Sequence, residues 1–173
     1  MKKFSEFETE RLYLKLATTA DAAFFLALMN TPKWLAHIGD RKVYDLAQAT
    51  QYIIDRMLPQ HERLGFGNYV VVRKDDGVAI GSCGLFDREG LEGLDIGFAF
   101  LPEYEGKGYA FEASKELLKQ SFSAFKVNEL QAITTAENTG SQRLLEKLGL
   151  KFVGWTRIPG DDEELMQYRI QKE

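Results

Sequence analysis

A single cysteine, Cys83, stands among 173 residues, and one thiol cannot close an intramolecular disulfide. With only two histidines beside it, a protein-held metal centre is not expected. Basic charge is not in excess either. Twenty-two Lys and Arg against 26 Asp and Glu leave a net charge of −4, whereas broad nucleic-acid binding needs a basic face. No apolar run is long enough to cross a membrane, and the opening MKKF is not followed by a signal-like core. The chain is therefore read as cytoplasmic, with neither nucleic acid nor membrane among its partners. Linkers, low-complexity tracts and internal repeats are lacking too. Residues 1–173 are expected to form one domain, long enough to bury a core.

The most informative stretch is LPEYEGKGYAFEA, residues 101–113. A strand-like apolar run precedes it and an amphipathic helix follows, with Gly106 and Gly108 where the helix should begin. Glycine lets the chain turn tightly there, and the unpaired N–H groups of a helix start form an anion site suited to phosphate. A plain turn is the competing reading. GKGYAF lacks the third glycine of the dinucleotide fingerprint, and no G-x-x-x-x-G-K-[ST] occurs.

The remaining chain reads as alternating elements. Leu12, Leu14 and Leu16 alternate with Tyr13 and Lys15 as a half-buried strand. Thr18 and Asp21 form a capping box for a short helix that ends at Asn30-Thr31-Pro32. Residues 34–44 have no clean period. Trp34, His37 and Tyr44 in that segment are candidate substrate-pocket residues, against the plainer roles of core plug and surface residue. Asp45 and Gln48 cap a helix that stops before Pro59. Two strands, 65–73 and 78–86, meet at the Asp75-Asp76-Gly77 turn, and Cys83 within the second is read as structural. In strand 94–101, Leu94, Ile96, Phe98 and Phe100 share one face, and Asp95, Gly97 and Ala99 share the other. The following helix buries Ala113, Leu117, Leu118 and Phe122 on one side. Residues 130–135 form the next strand, set parallel to its predecessor by a right-handed crossover. Asn138 or Thr139 caps a helix ended by Gly149, with Phe152 available for the closing apolar contact. Residues 152–158 and 165–170 close the chain as a hairpin with an acidic tip, Asp161 to Glu164. The order is α+β, a mixed and mostly antiparallel sheet of about seven strands with helices on both faces.

E-G-K-G-Y-A after a strand resembles the acetyl-CoA pyrophosphate loop of the GNAT N-acetyltransferase superfamily. AENTGSQRLLEKLGLKFVG, residues 136–154, resembles the N-x-x-S-x-x-x-x-E-K-x-G segment of its RimJ/RimL-like branch. ETERLYLKLA and LDIGFAFLPEY fit the same branch, so the likeness covers nearly the whole chain. One departure is Glu105, where the loop often carries Arg or Gln.

The resemblance implies a GNAT-like fold, acetyl-CoA as cosubstrate, no metal, and direct acetyl transfer to a primary amine. Pantetheine would pair with the strand through Phe98, Ala99 and Phe100. The diphosphate would sit at Glu105, Gly106, Lys107, Gly108, Tyr109 and Ala110, with Asn138 and Ser141 also in the cofactor site. A Cβ at Gly108 is expected to intrude where the diphosphate approaches, and Glu105 is expected to turn outward. Asp95 matches the general-base position. The usual Tyr seven residues after the Asn is Leu145 here, which leaves Ser141 to hydrogen-bond the departing sulfur. The acceptor could be a protein or ribosomal-protein N-terminal α-amine. A small-molecule acceptor such as a polyamine or aminoglycoside, and a non-catalytic CoA-binding sensor, stay open. A monomer or homodimer is expected.

Overall fold

The computed structural model describes residues 4–173. Strand β1 (Glu6–Glu8) pairs antiparallel with β2 (Leu12–Leu16). A 3-10 turn (Thr19–Asp21) leads into α1 (Ala22–Met29), then α2 (Pro32–His37), α3 (Leu46–Arg56) and α4 (Leu58–Leu64). Strands β3 (Asn68–Arg73), β4 (Ala79–Phe86) and β5 (Asp95–Phe100) follow. A second 3-10 turn (Pro102–Tyr104) precedes α5 (Tyr109–Ser123), β6 (Glu129–Thr134) and α6 (Thr139–Lys147). Strands β7 (Lys151–Thr156) and β8 (Leu165–Gln171) complete the chain. The described residues form one eight-stranded sheet, ordered β1-β2-β3-β4-β5-β6-β8-β7. Every neighbouring pair is antiparallel except β5–β6.

Alternation along the strands sorts side chains to two faces. Leu14, Val71, Ile80, Cys83 and Ile96 face Ala113 and Leu117 of α5 and Leu145 of α6 in one core. Val70, with Val72 and Ala99 at the margin, faces Phe25 of α1 and Ile53 of α3 in the other. Cys83 is fully buried in the first core, and burial pushes its thiol up to about 12, so it stays protonated and unreactive.

Local rules account for most element ends. Thr18 accepts from the Ala20 amide while Asp21 receives the Thr18 amide, closing the capping box. At the end of α6, the Leu150 amide reaches back to the Leu145 carbonyl at 3.0 Å, a Schellman closure. The apolar residue of that closure is the buried Leu150; Phe152 is 47% exposed and packs against Trp155 and Tyr168 instead. Two prolines read as stops are also starts. Pro32 opens α2 beneath the Thr31 cap, and Pro59 sits in the first turn of α4. The eighth strand is β1, three residues long and too short for a periodic signal.

Candidate active site

Strands β5 and β6 are neighbours at one register position, Asp95 opposite Gln131, where the Gln131 amide donates to the Leu94 carbonyl at 3.1 Å. Beyond that point the described residues show no further β5–β6 pairing, so the two parallel strands part toward their C-terminal ends. The opening is a cleft of about 1220 Å³, floored by Phe98 and Ala99 of β5 and Ile133 and Thr134 of β6. The edge of β5 that turns away from β4 can take an added extended chain through its backbone groups.

The loop ahead of α5 closes one end of the cleft. Gly106 (φ +74°) and Gly108 (φ +80°) both adopt the left-handed conformation that glycine tolerates best. The first helical amide to find its partner is that of Glu112, which donates to the Gly108 carbonyl at 3.0 Å. The amides of Tyr109, Ala110 and Phe111 are therefore left without an intrahelical acceptor and sit at the positive end of a 15-residue helix. Gly106, Gly108, Tyr109 and Ala110 line the cleft, and so does Glu105; Lys107 does not. A Cβ on Gly108 would stand 3.4 Å from Arg11 Nη2, an ordinary contact, so within the protein it is the backbone angle that calls for glycine here. Glu105 does not turn outward: its carboxylate meets Lys33 Nζ of α2 at 2.6 Å.

Helix α6 brings Asn138 and Ser141 to the same cleft. The Asn138 side chain caps the helix, accepting from the Ser141 amide at 3.2 Å. Leu145, one turn further on, is 1% exposed, packs in the core and also lines the cleft wall.

A family profile described as an acetyltransferase (GNAT) domain matches residues 11–151. The chain belongs to the GNAT acetyltransferase family. An N-acetyltransferase of Bacillus subtilis (strain 168), YjdG, whose own function is uncharacterised, is 32% identical over 108 residues, which span 61% of this chain and 63% of that protein. The crystal structure of a GNAT-family acetyltransferase from Bacillus anthracis superposes with a TM-score of 0.78 at 25% identity, covering 96% of this chain and 98% of the other. The fold also matches RimL, a ribosomal L7/L12 α-N-protein acetyltransferase solved in complex with coenzyme A, with a TM-score of 0.79 at 14% identity over 94% and 95% of the two chains.

On the GNAT sheet, Asp95 opens β5 and faces the α1–α4 side of the cleft. It is 1% exposed, and Arg88 holds both its oxygens, Nε to Oδ1 at 3.1 Å and Nη2 to Oδ2 at 3.2 Å. Burial raises the Asp95 carboxyl above the usual carboxylate range, and Arg88 opposes that rise.

Trp34 and His37 of α2 line the cleft; Tyr44 does not. Tyr44 is 61% exposed and donates to Asp40 at 2.7 Å, in the segment between α2 and α3. Trp34 Nε1 is buried without a hydrogen-bond partner among the described residues. His37 Nδ1 lies 3.0 Å from Thr135 Oγ1, just beyond β6. Of the four acidic residues at the last hairpin, Asp161 reaches the cleft, beside Pro159; Asp162, Glu163 and Glu164 do not line it. Three residues of the site escaped sequence reasoning. Arg88 sits between two predicted strands, Lys33 directly after the Asn30-Thr31-Pro32 helix stop, and Arg11 in the TERL string that carried only a family likeness.

Proposed function

We propose that the chain transfers the acetyl group of acetyl-CoA directly to a primary amine. The observation that carries this reading is the parting of β5 and β6 over a loop whose helix-start amides have no partner in the helix. The pantetheine arm of the coenzyme extends along Phe98 to Phe100 of β5, and the coenzyme's diphosphate accepts from the amides of residues 106–110. The amine nitrogen attacks the thioester carbon, the oxyanion is held by a β5 amide near Phe98, and the C–S bond breaks. The amine proton passes to Asp95, through water because the carboxylate is enclosed with Arg88. Ser141 donates a hydrogen bond to the departing sulfur, and Asn138 helps to hold the pantetheine arm. Burial makes Asp95 a stronger base than an ordinary aspartate, while Arg88 balances its charge before the proton arrives.

The acceptor enters between Trp34 and His37 of α2 and Asp161 of the last hairpin. An aromatic wall with a carboxylate at the rim suits a cationic amine. A protein N-terminal α-amine is the acceptor class we favour, since RimL, which shares the fold, is named for such an activity. The test is thiol release from acetyl-CoA across N-terminal peptides, polyamines and aminoglycosides. Turnover with N-terminal peptides supports the reading. Turnover with small amines alone moves the acceptor to that class, and tight CoA binding without turnover on any amine would leave a CoA-binding module.

A further inference from the structure

The cofactor loop has a second face, turned away from the cleft. Gly108 belongs to both, because it also lines a shallow groove with Arg11, Phe111 and Glu112. Arg11 lies just ahead of β2 and does not line the cleft. Its Nε donates to Glu112 Oε1 at 2.7 Å, and its backbone amide donates to Glu112 Oε2 at 3.0 Å. Thr9 Oγ1 donates to that second oxygen as well, so the carboxylate in the first turn of α5 is bolted to the entry of β2. The guanidinium carbon rests 4.3 Å from the centre of the Tyr109 ring. Another of its donors reaches the loop itself: Nη1 donates to the Lys107 carbonyl at 3.0 Å.

That bond fixes more than an oxygen. The Lys107–Gly108 peptide is planar and trans, so its carbonyl and its N–H point in opposite directions. With the carbonyl turned to Arg11, the Gly108 N–H is aimed to the other side, where Gly108 lines the cleft. A carbonyl that accepts from a cation also polarises its own peptide and makes the opposite N–H a better donor.

We propose that Arg11 is a positioning residue for the acyl donor: it holds the Lys107–Gly108 peptide so that the Gly108 amide faces the diphosphate, without touching the ligand. The proposal rests on the reading of residues 106–110 as the diphosphate site. Glu112 and Thr9 are its support, since they fix the guanidinium that does the aiming.

The test is a titration of 15N-labelled protein with CoA and, separately, with pantetheine, which has the thiol arm but neither diphosphate nor adenosine. In Arg11→Gln, CoA affinity should fall about tenfold while pantetheine affinity stays within about twofold, and the CoA-induced shift of the Gly108 amide should be lost. Unchanged CoA affinity in the folded variant overturns the proposal, as does an equal loss for both ligands, which would make Arg11 a brace for the whole cleft. If wild type binds pantetheine as tightly as CoA, the diphosphate reading fails and the proposal falls with it. A wild-type preference for CoA that survives in Arg11→Gln sinks the role of Arg11 alone. Should Arg11→Gln not fold, Arg11→Lys keeps the charge, but one ammonium cannot serve both Glu112 and the Lys107 carbonyl; the same split between the two ligands is expected.

Discussion

Lys33 and Glu105, 72 positions apart in sequence, meet at 2.6 Å across the mouth of the cleft. The ion pair joins α2, on the acceptor side, to the cofactor loop. With the His37–Thr135 contact at 3.0 Å, it ties α2 to both arms of the opened strand pair. It also accounts for an acidic residue in the proposed diphosphate loop, because Lys33 offsets the charge of Glu105.

The consequence is a double-mutant cycle. Lys33→Ala leaves Glu105 uncompensated near the diphosphate and should raise the acetyl-CoA Kd by about three- to tenfold, more at low salt than at high. The bridge itself is half exposed and worth little to stability. Combining Lys33→Ala with Glu105→Gln should restore affinity to within about twofold of wild type. A double variant as weak as the single would mean that Lys33 binds the ligand directly.

Asp95 supports two measurements. Asp95→Asn should lower kcat by about a hundredfold or more, with little change in acetyl-CoA affinity, and remove the acidic limb of the pH–rate profile. In wild type that limb should lie above the ordinary aspartate value of about 3.9, since burial raises the carboxyl. Stability carries the same sign. A carboxyl with a raised folded-state pKa favours the fold when protonated, so its contribution is complete below the unfolded value and is lost as pH rises through the folded one. Denaturant midpoints measured across that window should fall less steeply in Asp95→Asn. Equal losses of rate and affinity would assign Asp95 a structural role with Arg88.

The acidic hairpin tip is narrowed by the structure to one carboxylate. Asp161→Asn should raise the acceptor KM by about two- to threefold and flatten its salt dependence, leaving the KM for acetyl-CoA unchanged. Neutralising Asp162, Glu163 and Glu164 together should do neither. If the triple change moves the acceptor KM and Asp161→Asn does not, the acceptor approaches over the outer face of the hairpin.

Leu145 occupies the position where the family resemblance would place a tyrosine acid. Its side chain is 1% exposed, packed in the core under α6 where it also forms part of the cleft wall, so a tyrosine there would have to displace packed neighbours, and Leu145→Tyr should not supply a proton donor. Overpacking should cost about 1–3 kcal/mol of stability, measured by denaturant unfolding, with no gain in kcat. A rise in kcat would show that the position reaches the departing sulfur.

Much of this was legible in the chain because the signals were local. The stripe of Ala113, Leu117 and Leu118 marked α5 and placed its start at the glycine pair, and the Thr18–Asp21 box marked the first helical turn. The face carrying Asp95, Gly97 and Ala99 was legible from alternation alone, although its partner Arg88 was not. What escaped was nonlocal or ambiguous. Proline removes an amide that a first helical turn does not need, so Pro32 and Pro59 fit a start as well as a stop. Nothing local marks Lys33 as a partner of Glu105 or Arg11 as a partner of Lys107, since the sheet and α5 bring each pair together only after folding. Tyr44 shared a patternless segment with Trp34 and His37, but helix α2 ends at His37 and carries only those two to the cleft.

The central claim is that residues 106–110 bind the diphosphate of acetyl-CoA, and calorimetry on Gly108→Val tests it most directly. Valine resists the φ of +80° at that position, so the loop amides should lose their aim. Acetyl-CoA affinity is predicted to fall at least about tenfold, about 1.4 kcal/mol, with the circular dichroism spectrum retained. Unchanged affinity in that folded variant would contradict the account.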